Sequence, residues 1–304
     1  MKFTASRAFM VMIAAVAGFT GATNVYAKSP TLEKIRSSTT LTLGYREASI
    51  PFSYLGTGQK PVGFSLDLCA AVAEKTKAEL KLPNLKVAYV PVNASNRIPL
   101  LQNGTIDIEC GGTTNTLDRQ KQVAFSVAIF VSQPRWLTTT SSGIDDPNKL
   151  RGKTVVVTQG SLNLPVAEKI NTDNKLGLTI TQAKDHSESI LMLRTGRASA
   201  FFEDNIILAG LVATSPDPKA YTYLPNLGGL SRLDYFGLML PKDDQEFKAF
   251  VDGVLKEKMA SGEFTKIYEK WFTSPIPPNN QNLGLPMSEA LKARVAAPSD
   301  TVSP

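Results

Sequence analysis

Two successive runs of alternating strand-like and helix-like segments constrain this chain more than any other feature. In the first run, residues 40–44 (TLTLG) read as a strand and 64–80 as an amphipathic helix. Residues 86–90 are the next strand, 95–103 a short helix closed by Gly104, 106–109 (IDIE) a strand, and 118–122 the start of a helical segment. The second run starts near Lys153, with 154–158 (TVVVT) a strand, 162–171 a helix and 178–182 a strand. A helix over 187–195 is capped by Gly196, and 198–202 leads into a helix over 205–213. Each series predicts a mostly parallel sheet covered by helices on both faces. Residues 247–272 read as helical with Gly262 as an internal break, ending at the Pro-rich run 274–280. Beyond Pro275 the chain is expected to be extended and packed only in part, with 297–304 (APSDTVSP) disordered.

Extended stretches at 130–138 and 232–240 read as crossings between the two units. The expected fold is therefore α/β: two doubly wound lobes joined by two strand-like hinges. Lobe one is discontinuous, 28–134 plus 238–304, and lobe two is 135–237. Ligands of such sheets bind in the cleft at the C-terminal ends of the strands.

The first 27 residues do not belong to that fold. Lys2 and Arg7 form a positive n-region, 8–19 (AFMVMIAAVAGF) an apolar core, and 25–27 (VYA) a small-x-small cleavage pattern. This is the pattern of a secretory signal peptide cut after Ala27, since about a dozen apolar residues are too few to span a bilayer. Cleavage leaves 277 residues and lowers the formal net charge from +6 to +4. That mild excess suits an anionic small ligand. The Lys and Arg residues are dispersed, with no basic run, so no nucleic-acid partner is expected. Cys69 and Cys110 are the only cysteines, and in an exported protein they either form one disulfide or stay as two buried thiols. No CxxC or Cys/His cluster is present, so no metal and no cofactor are expected.

Several stretches resemble the solute-binding proteins of polar amino-acid ABC transporters, and within them the periplasmic glutamate/aspartate-binding proteins. These are 43–54 (LGYREASIPFSY), 95–104 (SNRIPLLQNG), 106–114 (IDIECGGTT) with Arg119–Lys121, Phe125–Ser126, 183–186 (AKDH) and 270–279 (KWFTSPIPPN). The resemblance covers nearly the whole mature chain. It implies a type II periplasmic binding protein of the Venus-flytrap kind. Such a protein, expected as a periplasmic monomer, closes on L-glutamate or L-aspartate and presents it to an inner-membrane ABC permease.

The chemistry required can be stated independently. An acidic amino acid carries two carboxylates and an ammonium, and burying them requires opposite charges or several donors. Planar carboxylates are best held by Arg. The resemblance gives Arg119 the α-carboxylate, aided by Thr114; a solvated Arg beside Asp118 is the plain alternative. Arg46, directly after the first strand, and Arg97, on the first turn of a short helix, are implied for the distal carboxylate. Each alone reads equally as a surface charge. His186, the only histidine, matches a cleft position and would tie binding to pH if charged. Asp204 is implied for the ligand ammonium, although an Asp at that strand–helix junction also reads as a simple N-cap. Glu203 beside it should point to the opposite face by strand alternation, unless the chain bends at Phe202. Thr158, Gly160 and Ser161 form a strand–turn–helix entry able to offer backbone N–H groups to a carboxylate, or merely an N-cap at Ser161.

The sequence departs from the family pattern at Gly112 and Ala94, where Ser is usual, and at Leu162, where a second hydroxyl is common. Each removes a donor, while the arginines remain. Two other readings are a cyclohexadienyl-type dehydratase on the same fold and a binder of a neutral polar amino acid such as glutamine. Catalysis would need a general acid or base, for which only His186, Glu203 and Asp204 are placed. A third class is a sensor reporting ligand to a membrane receptor.

Overall fold

The computed structural model describes residues 29–225 and 232–302. The leader expected over 1–27 lies outside them. Two sheets organise the chain. The first runs Lys86–Pro91, Thr40–Tyr45, Ile108–Thr114, Asp234–Leu240, Ala124–Phe125, with Phe130–Ser132 also paired to Asp234–Leu240. Its first three strands are parallel, and Asp234–Leu240 is antiparallel to its neighbours. The second sheet runs Thr179–Ala183, Thr154–Thr158, Ala200–Asp204, Pro134–Thr139, Tyr221–Tyr223, again three parallel strands followed by antiparallel ones.

The strand alternation explains how each sheet is covered. Val155 and Val157 pack with Ala167 and Ile170 of the helix Asn163–Asp173. Val156 and Phe201 face the other way, into the cluster holding Leu193, Ile207 and Leu208 of the helices His186–Arg194 and Asn205–Ala213. In the first lobe, Phe52, Phe64, Phe130, Phe236, Phe264 and Phe272 form an edge-to-face and stacked aromatic core. Cys69 on the helix Phe64–Glu79 and Cys110 on the strand beneath it form a disulfide, Cα–Cα 6.3 Å.

The chain passes between the sheets at Gln133, between Phe130–Ser132 of the first sheet and Pro134–Thr139 of the second. The return differs from the expectation. A crossing over 232–240 with a lobe boundary at 237 does not occur, because Asp234–Leu240 is wholly a strand of the first sheet. Phe236, Leu238 and Leu240 are fully buried there, so core burial holds them in the first lobe.

The C-terminus also departs from expectation. The helical stretch near 247–272 is two helices, Gln245–Ala260 and Glu263–Phe272, separated by Gly262 at φ +80°. A further helix, Glu289–Ala296, follows, its Ser288 accepting from the Leu291 N–H. Residues 297–302, expected to be disordered, form a strap on the first lobe. The Ser299 carbonyl accepts from Ala128 N, the Asp300 carbonyl from Asn115 Nδ2, and the Asp300 carboxylate pairs with Lys248. Backbone partners supplied by distant residues fix a segment whose own composition specifies nothing.

Candidate functional site

The polar residues singled out above converge at the C-terminal ends of the parallel strands. Arg46 follows Thr40–Tyr45, Arg97 lies beyond Lys86–Pro91, and Thr114 ends Ile108–Thr114, with Arg119 five residues on. Thr158 ends its strand, His186 follows Thr179–Ala183, and Asp204 ends Ala200–Asp204. The two lobes meet over this set. Arg119 Nη2 donates to the Gly160 carbonyl at 3.4 Å, and Ser95 Oγ to the Gln159 carbonyl at 3.4 Å. On the other side, His186 Nδ1 lies 3.1 Å from Ser49 Oγ and 3.3 Å from the Ala48 carbonyl. Arg46, Arg97, Arg119, Thr114, Thr158, His186, Glu203 and Asp204 are all buried as a result, whereas Ser161 is half-buried.

The first lobe contributes cations. Arg97 donates to Thr113 Oγ1, which in turn donates to Glu109 Oε2 at 2.7 Å, and the Arg97–Glu109 separation is 3.8 Å. Arg119 Nη1 donates to the Thr114 carbonyl at 2.9 Å, so Thr114 orients the guanidinium through its backbone. Burial is the main force lowering the basicity of these groups, followed by the repulsion of Arg97 on both its neighbours. Arg46 falls to about 10 and Arg119 to about 9, and Arg97 is lowered by burial. All three stay cationic at neutral pH. For Arg97 the nearby carboxyls of Glu109, Glu203 and Asp204 act against that desolvation.

The second lobe contributes carboxylates. Asp204 occupies the N-cap position of Asn205–Ala213, yet its side chain makes no capping bond, and Oδ1 is buried without a partner. The simple N-cap reading is therefore not realised. Glu203, which alternation would send to the opposite face, turns in. Its Oε1 accepts from Asn163 Nδ2 and from Asp204 N at 3.0 Å, while Oε2 lies 3.5 Å from His186 Nε2 and has no hydrogen-bond partner. Burial pushes Glu203 up, and burial followed by repulsion from Glu203 pushes Asp204 well up. Burial, then Arg46, pushes His186 well below its ordinary value, so the imidazole is neutral.

Thr158 Oγ1 lies 3.1 Å from Ser189 Oγ and is fully buried. Ser161 is not the N-cap, since the helix begins at Asn163 after Leu162; its hydroxyl accepts from Asn163 N at 3.2 Å. The absent Ser at position 112 has a steric counterpart. A Cβ on Gly112 would sit 3.1 Å from Phe52 and 3.2 Å from Phe236, where the aromatic core already fills the space. Glu109 and Asn163 went unnoticed in the sequence. Glu109 had a signal: it shares a strand face with Gly111 and Thr113, between the apolar Ile108 and Cys110. Asn163, one polar residue in a helix entry, had none.

A groove of about 810 Å³ runs along the seam, lined by Ile98, Arg119, Gly160, Leu162, Val166 and Arg232 among others. It reaches Arg119 and stops short of Arg46, Arg97 and His186. It is therefore the mouth of the site and not its seat.

The pattern of bacterial extracellular solute-binding proteins, family 3, matches residues 41–274. An L-glutamate/L-aspartate-binding protein of Pseudomonas aeruginosa is 49% identical over 272 residues, 89% of each chain. A glutamate/aspartate import solute-binding protein of Escherichia coli is 42% identical over 274 residues, 90% of each. Among solved structures, an ancestral amino acid-binding protein described as a precursor of cyclohexadienyl dehydratase superposes with TM-score 0.68. It is 26% identical and covers 80% of this chain and 100% of its own.

Proposed function

Because the chain belongs to the bacterial extracellular solute-binding proteins, family 3, we propose that it captures an acidic L-amino acid, glutamate or aspartate, for import. It is a binder and not an enzyme, as its curated relatives are import proteins. The observation that carries the ligand assignment is charge. Three buried guanidiniums from one lobe face a site where, among the described residues, Glu109 is the one carboxylate of that lobe in ion-pair reach of them, and Asp234 is held by Arg232 at 2.9 Å. A ligand with two carboxylates offers the distal guanidiniums a charged partner that a neutral amide lacks.

In this reading Arg119, positioned by Thr114, holds the α-carboxylate. The turn at Thr158–Ser161 closes over it, and Asp204 takes the ammonium. Arg46, Arg97 and His186 surround the distal carboxylate, with the two guanidiniums donating to it and the neutral imidazole bordering it. The leader-like residues 1–27 support export to the periplasm. There the mature chain from Lys28 works as a monomer and delivers its cargo to an inner-membrane ABC permease. N-terminal sequencing of the exported fraction is expected to start at Lys28, and retained Met1 would exclude cleavage.

Calorimetric titration with the twenty amino acids tests the ligand class. Glutamate and aspartate are expected to bind far more tightly than glutamine and asparagine. Equal affinity for glutamate and glutamine would overturn the roles of Arg46 and Arg97.

A further inference from the structure

Glu203, like Glu109, has two unequally served oxygens, but its bare oxygen faces an imidazole, whereas that of Glu109 faces the Arg97 guanidinium at 3.8 Å. Oε1 accepts two hydrogen bonds, from Asn163 Nδ2 and from the Asp204 N–H, whereas Oε2 is buried and unpartnered, 3.5 Å from His186 Nε2. An ionised carboxylate with both donors on one oxygen leaves the other unsolvated at considerable cost; a carboxylic acid with its hydroxyl at Oε2 does not. The imidazole fits that arrangement. If Nδ1–H donates to the Ala48 carbonyl, Nε2 carries no proton and offers Oε2 no donor, and at 3.5 Å it leaves an Oε2–H free for another acceptor.

Resting on the acidic-ligand reading above, we propose that Glu203 is a specificity-determining acid: its Oε2–H donates to the distal carboxylate of the ligand, so capturing glutamate or aspartate requires one proton on the Glu203–Asp204 pair. The groups facing that pair make the count. Arg46 and Arg97 approach Glu203 from the first lobe, and Arg135 stands opposite it in register on the neighbouring strand. Thr158 and Asn163 flank it, with neutral His186 beyond. Arg135 is half-buried and reaches solvent, and Asp234 and Arg232 offset each other as an ion pair, so within the buried pocket three guanidiniums are set against Glu109 and a ligand of net charge −1. One remaining negative charge gives neutrality, so the pair holds one proton between its two carboxyls. The ligand ammonium keeps Asp204 ionised, and the proton stays on Glu203. With a neutral amide ligand the same count balances only when both carboxyls are ionised. Glu203 thus opposes glutamine when protonated and opposes glutamate when ionised. Burial, which raises both members of the pair, acts in the same direction.

In an open cleft Glu203 meets water and ionises near its ordinary value, so closing on an acidic ligand takes up a proton. Calorimetry of the full mature chain with L-glutamate, in buffers of differing ionisation heat, is expected to show uptake of close to one proton near pH 7. Kd should rise with pH by up to about tenfold per unit between pH 6.5 and 8.5. In E203Q the amide donates permanently from the Oε2 position. Its ratio of Kd at pH 8.5 to Kd at pH 7 should approach one and its proton uptake should vanish, while E203A weakens glutamate at both pH values. Wild-type Kd that is flat with pH and free of proton uptake overturns the inference, even if no variant folds. So does an E203Q protein that keeps the wild-type alkaline rise. Absence of glutamate and aspartate binding at every pH would instead overturn the acidic-ligand reading on which this rests.

Discussion

The two lobes share an architecture, three parallel strands continued by antiparallel ones, yet they bring opposite charge to the seam. The first supplies Arg46, Arg97 and Arg119; the second supplies Glu203 and Asp204, with His186 neutral beside them. Neither half is self-sufficient once water is excluded. The guanidiniums lose basicity on burial, and the carboxyls are pushed toward their protonated forms. A zwitterion with an extra carboxylate has the charges that both halves lack. The difference between the lobes therefore gives closure a dependence on ligand that apolar contact alone would not give.

Removing a cation from the first lobe is the strongest way to break this comparison. Arg119→Ala is expected to abolish binding of every amino acid, because the α-carboxylate is common to all of them. The loss from leaving that group unpaired is roughly 2–5 kcal/mol, on the order of 30-fold to several thousand-fold in Kd by calorimetry. Thermal unfolding without ligand should barely change. A variant that unfolds without ligand, with binding intact in the surviving fraction, would make Arg119 structural. Arg46→Ala should discriminate between ligands instead. Glutamate and aspartate are expected to weaken by about 10- to 100-fold more than glutamine, and equal weakening of all three would remove Arg46 from the distal end.

The seam itself can be tested without touching a charge. Gly160 has φ +77°, and a Cβ there would lie 2.8 Å from the Ala94 carbonyl carbon and Ser95 nitrogen across the interface. Gly160→Ala should weaken all ligands by about 5- to 100-fold, from roughly 1–3 kcal/mol of backbone clash that arises only on closing, while its left-handed strain burdens the open and closed forms alike. Unchanged affinity would mean that the closed form does not bring these backbones together.

The first lobe is also the stapled one. Replacing both Cys69 and Cys110 by Ala releases a cross-link spanning 41 residues and should lower stability without ligand by roughly 3–4 kcal/mol. Binding at a temperature where the variant is folded should change little. A large loss of affinity there would show that the staple shapes the strand carrying Glu109 and Thr113.

The smallest expected effect belongs to His186. Its basicity is depressed in the closed form, so the open form binds the proton more tightly. Its contribution is complete above about pH 6.5 and is lost as pH falls below it. Measured against a His186→Asn variant at each pH, which cancels the carboxylates, wild-type affinity should fall about fivefold between pH 6.5 and 5.5. No fall would place the histidine outside the closing interface.

Repeated βα alternation was enough to indicate two sheets and a cleft, because hydrophobic period and strand–helix order are local properties that survive in the sequence. The three arginines, His186 and Asp204 stand out in the sequence through family resemblance, Arg46 also through its place directly after a strand, and the structure brings them to one seam. Fold pairing decided the rest. Asp234–Leu240 belongs to the first sheet because its partners Ile108–Thr114, Ala124–Phe125 and Phe130–Ser132 lie about a hundred or more positions earlier in the sequence, and no local pattern encodes that choice. Residues 297–302 are ordered by carbonyl contacts to Asn115 and Ala128 and by Lys248, all remote from them. Glu203 faces the site although strand alternation argued otherwise, and Asp204 leaves its helix uncapped. What a carboxyl does at such a junction depends on which donors the other elements bring within 3 Å, and only tertiary packing sets that distance.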